Sequence, residues 1–209
     1  MSSPLAVLGG MFDPVHNGHI EAARYAMARL GVNRLKMIPC KNPNHKGPAS
    51  SDSKHRLAML ELAVAADEKI EVDPIEINRS GVSYTIDTLT ELKKSETCLV
   101  FVLGIDSFNT LPQWHRWPEL LELCHFLVLA RSGSNISSRT GELLDLEQRR
   151  VQTPQQMFSC DSGKILLAED FSFEASSTAI REKLGRREDV TEEMNAQVLA
   201  YIKENNLYV

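Results

Sequence analysis

Cysteine is sparse in this chain and shows no pairing pattern. The four present, Cys40, Cys98, Cys124 and Cys160, are scattered without C-x-x-C spacing, which points to reduced thiols and excludes a disulfide framework or a structural zinc site. No apolar run approaches the roughly 20 residues that cross a bilayer. No basic segment followed by a long apolar stretch stands at the N-terminus, so neither a membrane span nor a signal peptide is expected, and the expected location is the cytoplasm. A charge bias is missing as well: 23 Lys and Arg stand against 28 Asp and Glu, a net charge of −5. That balance argues against a broad nucleic-acid surface but leaves room for a local cluster of donors around a small anion. There is no internal repeat, no extended low-complexity segment and no linker marking a second domain.

What is present is enough apolar material, 43% of 209 residues, for one α/β domain with a full core. Short apolar runs alternate with helical spacing. Strands are expected at residues 5–8, 35–38, 70–72, 75–77, 99–103, 126–130 and 165–168, with helices from 19 to 30 and at 56–66, 85–94, 178–184 and 192–205. Such alternation is the pattern of βαβ units and a parallel sheet. Residues 42–53 read as a loop, and residues 131–164 as a long loop with one helix near 142–149.

The first strand ends in Gly9-Gly10-Met11-Phe12-Asp13-Pro14-Val15-His16-Asn17-Gly18-His19. Paired glycines after a strand allow a tight turn and a close backbone approach to a ligand, at the strand end where open parallel sheets bind ligands. His16 and His19, three apart at a helix start, can share one face beside the partial positive charge of the helix N-terminus. Imidazole donors in that position can stabilise charge developing on phosphate oxygens. A single loop histidine would more readily be a surface or capping residue. A zinc site here lacks a third ligand.

A second cluster, Ala175-Ser176-Ser177-Thr178-Ala179-Ile180-Arg181, opens a helical segment near the C-terminus. Its hydroxyls can cap the helix or reach phosphate, and Arg181, one turn on, can hold phosphate oxygens with its planar fork. Taken alone, the cluster reads as a simple cap and a surface arginine.

These segments resemble the H-x-G-H nucleotidyltransferase superfamily. The long histidine string is similar to that of the bacterial nicotinate mononucleotide adenylyltransferases in particular, and the second cluster to the superfamily's I-S-S-T-x-x-R signature with Ala175 replacing Ile. Ser83-Tyr84-Thr85 through Thr88-Leu89, Gly104-Ile105-Asp106-Ser107 and Pro112-Gln113-Trp114 resemble further motifs of the same family. The resemblance covers nearly the whole chain. It implies a Rossmann-like, doubly wound α/β fold over residues 1–209, with a C-terminal helical segment from about 176, and transfer of AMP from ATP to nicotinate mononucleotide. His16, His19 and Arg181 would be catalytic. Gly9, Gly10, Met11, Phe12, Gly18, Gly104, Asp106, Ser177 and Thr178 would join them in binding ATP. Lys46, Tyr84, Thr85, Asp106 and Trp114 would bind the acceptor, and Mg²⁺ would be held mainly by phosphates and water, with no protein metal site.

Elementary chemistry supports several of these roles. A helix opening at Tyr84 and Thr85 offers N–H donors to a carboxylate. The Trp114 face suits a pyridinium ring. Asp106, after a strand end, can accept from ribose hydroxyls. Each also has a plain reading, as caps and a core indole. The sequence departs from the family in the loop Pro43-Asn44-His45-Lys46, where Asn44 replaces proline, and at Ser132 after Arg131, again in place of proline. Two alternatives stay open: an acceptor such as phosphopantetheine or nicotinamide mononucleotide, and a non-catalytic module that binds ATP or NAD.

Overall fold

The computed structural model describes residues 3–43, 49–130, 135–171 and 175–209. Its strands are β1 (Leu5–Gly10), β2 (Leu35–Pro39), β3 (Ile70–Val72), β4 (Leu99–Gly104), β5 (His125–Leu129), β6 (Arg150–Val151) and β7 (Ile165–Ala168). All pair in parallel, in the order β3-β2-β1-β4-β5-β7-β6. The helices are α1 (Asn17–Leu30), α2 (Ser53–Val64), α3 (Ile75–Asn78), α4 (Thr85–Leu92), α5 (Ile105–Asn109), α6 (Trp117–Leu123), α7 (Ser138–Leu143), α8 (Leu146–Arg149), α9 (Pro154–Met157), α10 (Ser177–Gly185) and α11 (Ala196–Glu204).

The central strands are apolar throughout because both of their faces are covered. Side chains alternate between two cores. Ala6, Leu8, Val100, Val102, Leu127 and Leu129 face α1, α2, α10 and α11. Leu5, Val7, Phe101, Leu103, Phe126 and Val128 face α4, α5 and α6. Each fully buried Leu or Phe in these layers contributes about 1.5–3 kcal/mol of apolar transfer. The chain moves outward from β1 through β2 to β3, then returns to the other side of β1 at β4. The crevice at the C-terminal ends of β1 and β4 is therefore the topological switch point where doubly wound sheets bind ligands.

Three expectations from sequence are corrected. Residues 75–77 form helix α3, not a strand, because Pro74 precedes them and the Asp73 carboxylate accepts from the Ile75 N–H at 3.1 Å, turning the chain at once. Residues 142–149 are not one helix: Asp145 takes a left-handed conformation (φ 50°) and separates α7 from α8, while Leu144 is fully buried. The supposed long loop also holds α9 and the edge strand β6. α9 is started by a capping box between Thr153 and Gln156. Helix ends differ slightly elsewhere. α2 begins earlier because Asp52 caps it, accepting from the Lys54 N–H at 2.8 Å, and α11 begins later, capped by Asn195.

Candidate active site

The loop after β1 is shaped by contacts of its own residues. A Cβ on Gly10 would sit 2.9 Å from the buried Phe12 ring, so any larger residue there would force that ring to shift. Phe12 is buried and left-handed (φ 49°), and its ring meets His19 edge-on at 5.0 Å. His16 is the N-cap of α1, and the His16 N–H donates to His19 Nδ1 at 3.3 Å. The two imidazoles lie 3.8 Å apart, so the three-residue spacing does bring them to one face. His16 is buried, with its Nδ1 lacking a hydrogen-bond partner among the described residues. Burial lowers its pKa to about 4, so this ring is neutral at neutral pH.

From the opposite side α10 closes on the same loop. Ser176 caps the helix, accepting from the Ala179 N–H at 3.2 Å. The Ser177 hydroxyl donates to the Pro14 carbonyl at 3.0 Å. Arg181 donates to the Asp13 carbonyl at 2.6 Å and to the Thr178 hydroxyl at 3.2 Å. A cavity of about 630 Å³ lies between, and its walls include Gly9, Gly10, Met11, Phe12, His16, Gly18, His19, Gly104, Ser177, Thr178 and Arg181. The two clusters, far apart in sequence, thus face one space. Asp106 lies outside its walls.

A second cavity of about 550 Å³ shares Gly9, Gly10, Met11, Phe101, Ser107 and Trp114 with the first. Tyr84, Thr85, Asp106 and Trp114 line it. Tyr84 is the N-cap of α4, and its ring stacks on His115 at 4.2 Å. Trp114 meets Phe101 edge-on at 6.2 Å, which presents its indole at the junction of the two spaces. The opposing rim is laced to the loop after β2: the Ser83 N–H donates to the Asn42 carbonyl at 2.9 Å, and the Ser83 hydroxyl accepts from the Lys41 and Asn42 N–H groups, each at 3.3 Å. Asp87 points away, toward Arg116 at 4.0 Å. Lys46 lies outside the described residues, as do His45, Asn44, Arg131 and Ser132.

Three residues of this region carry no local signal in the sequence. Glu76 reads as the polar position of an alternating run, yet it is buried in the wall of the second cavity and accepts from the Thr88 hydroxyl at 2.8 Å. Cys40 lines the same cavity, and burial raises its pKa to about 11, so it is a protonated thiol and not a thiolate nucleophile. Arg56 reads as the polar face of a helix but is 1% exposed. Its guanidinium donates to the carbonyls of Met11 (2.7 Å), Ser51 (3.3 Å) and Lys41 (3.3 Å), tying the two loops at the base of the site. Among the described residues no group of three His, Cys, Asp or Glu side chains converges as a metal cage.

A parallel sheet with a histidine loop at its switch point and an arginine-bearing helix facing it defines a nucleotidyltransferase. The chain belongs to the cytidylyltransferase-like family, whose model matches residues 7–183, and to its nicotinate-nucleotide adenylyltransferase branch. It is 37% identical over 99% of its length, and 95% of the relative's, to a protein of Marinomonas sp. (strain MWYL1) named "Probable nicotinate-nucleotide adenylyltransferase". A protein of Hahella chejuensis (strain KCTC 2396) with the same name is 35% identical over 99% of this chain and 96% of its own. Among solved structures, the Plasmodium falciparum nicotinic acid mononucleotide adenylyltransferase complexed with NaAD shares the fold. Its TM-score is 0.77 at 18% identity, covering 99% of this chain and 98% of that one.

Proposed function

We propose that this protein moves the AMP group of ATP onto the 5′-phosphate of nicotinate mononucleotide, giving deamido-NAD and pyrophosphate in NAD biosynthesis. The observation that carries this reading is the pair of joined cavities at the switch point, one walled by phosphate-type donors and the other by an aromatic face and a helix start. The names of the full-length relatives point the same way.

In this account the larger cavity takes the triphosphate. His16 and His19 donate to the transferring and leaving phosphates, and Arg181, with Ser177 and Thr178, holds the outer ones. Gly9, Gly10, Met11, Phe12, Gly18 and Gly104 shape the floor. The acceptor's ring lies on Trp114, its carboxylate faces the N–H groups of Tyr84 and Thr85, and Asp106 accepts from ribose hydroxyls. The family resemblance assigns Lys46, outside the described residues, to the acceptor. A phosphate oxygen of the acceptor attacks the α-phosphorus directly, the bond to the β-phosphate oxygen breaks, and pyrophosphate leaves. The protonated Cys40 offers no competing covalent route. Mg²⁺ would arrive on the nucleotide's phosphates and partly neutralise them. No side-chain cage for it exists among the described residues, and no step here is routed through it.

No helix among the described residues is long and apolar enough to cross a membrane. The test is a panel of phosphate monoesters offered with ATP. Nicotinate mononucleotide should be used best. Preferential use of phosphopantetheine or nicotinamide mononucleotide would reassign the acceptor.

A further inference from the structure

The loop joining β1 to α1 is held by the far end of the chain. The Asp13 carboxylate is 5% exposed and lies in the wall of the larger cavity. Its Oδ2 accepts from the Ser50 N–H at 2.6 Å, and its Oδ1 from the phenol of Tyr208, 195 residues away, at 2.7 Å. The same C-terminal region takes up the start of α1: the Asn17 N–H and side-chain amide donate to the carbonyls of Glu193 and Glu192, at 2.8 and 2.9 Å. Tyr208 itself is left-handed (φ 64°), as is Asn206 (φ 51°). A bulky residue beside a chain end has no local reason to occupy that region, so tertiary contact holds it there.

We propose that Tyr208 is a positioning residue for the reaction: its hydroxyl holds the Asp13 carboxylate back from the triphosphate and keeps the histidine loop in shape. The inference rests on the reading of the larger cavity as the ATP site. A carboxylate in the wall of a phosphate site opposes the ligand's charge unless its oxygens are occupied and turned aside. Tyr208 and Ser50 supply those two bonds, and the buried Arg56 guanidinium also acts on the carboxylate's charge. Losing the phenol leaves Oδ1 of a nearly buried carboxylate unpaired, and the relief open to it is rotation toward the water of the cavity. The cost then falls on ATP and not on the acceptor.

The experiment is Tyr208→Phe in the full chain, alone and with Asp13→Asn. The single variant should raise the KM for ATP about tenfold or more, the size of effect that loss of a bond to a charged group can give. The KM for the acceptor should stay within about twofold and the thermal midpoint near that of the wild type. In an Asp13→Asn background, where the charge is gone, the same change should have a much smaller effect on ATP. Calorimetric binding of ATP reads the same contrast without turnover, so a wrong acceptor would not obscure it. An unchanged KM for ATP, an equal loss on both substrates that follows a fall in thermal midpoint, or full additivity with Asp13→Asn would overturn the proposal.

Discussion

His16 and His19 stack with ring centres 3.8 Å apart, but they differ in surroundings: His16 is buried and neutral, while His19 is only half-buried and takes the His16 N–H on its Nδ1. That asymmetry makes His19 the better probe of chemistry. His19→Ala should lower turnover by about two or more orders of magnitude, the size expected when one charge-stabilising donor is lost. The fold should survive, since His19 contributes no fully buried surface. Near-normal turnover in a folded variant, checked by circular dichroism, would remove the histidine from the mechanism.

Arg181 already spends one arm of its fork on the Asp13 carbonyl and another on Thr178. Arg181→Lys keeps the charge but cannot hold the loop and a phosphate together. ATP handling should weaken about tenfold or more while acceptor binding stays near the wild-type value. An effect on the acceptor alone, measured by varying each substrate in turn, would place this arginine at the wrong phosphate.

The second cavity sets up a competition between charges. The start of α4 favours an anion, whereas Glu76 places a carboxylate in the same wall. Nicotinate mononucleotide should still be preferred over its amide by about tenfold, roughly 1.4 kcal/mol, because the helix offers donors to both oxygens of the acid. Glu76→Gln removes the opposing charge and should widen the ratio of kcat/KM values. Thr85→Val should narrow it. A ratio that shrinks in Glu76→Gln would mean that this glutamate helps to hold the acceptor instead of opposing it.

Acid should destabilise the protein before its carboxylates are protonated. His125 is fully buried, accepting from the Lys164 N–H and bonded to the Cys160 carbonyl, and burial lowers its pKa to about 4, as it does for His16. The unfolded chain protonates both near 6.5, so it binds more protons than the folded chain below that pH. Their stabilisation is complete above about 6.5 and is lost as the pH falls toward 4, amounting to about 3 kcal/mol for each. Urea midpoints should fall steadily from pH 7 to 4.5, and less steeply in His125→Gln. A flat profile over that window would contradict the assigned burial.

The parts of this architecture written in local sequence were readable, and the parts written in long-range contact were not. Apolar runs marked β1, β2, β4, β5 and β7, because a strand covered on both faces is apolar throughout. The histidine string was legible from its spacing after a strand-ending glycine pair, whereas the Ser-Thr-Arg cluster, a plain helix cap when taken alone, gained its meaning only beside that string. The Thr153–Gln156 capping box was also present in sequence, and polarity alone wrongly suggested a loop there. Glu76 looked like the outward position of a strand until Asp73 and Pro74 turned the chain into a helix. Tyr208 and Asp13, 195 residues apart, share no pattern that spacing could reveal. The two-residue strand β6 has too few residues for any period to show.

The most direct test of adenylyl transfer follows label through one reaction. The protein, given ATP labelled at the α-phosphate together with nicotinate mononucleotide and Mg²⁺, should place the label in deamido-NAD while equimolar unlabelled pyrophosphate accumulates. Binding of both nucleotides with the label remaining in ATP would contradict the account and leave a sensor in place of an enzyme.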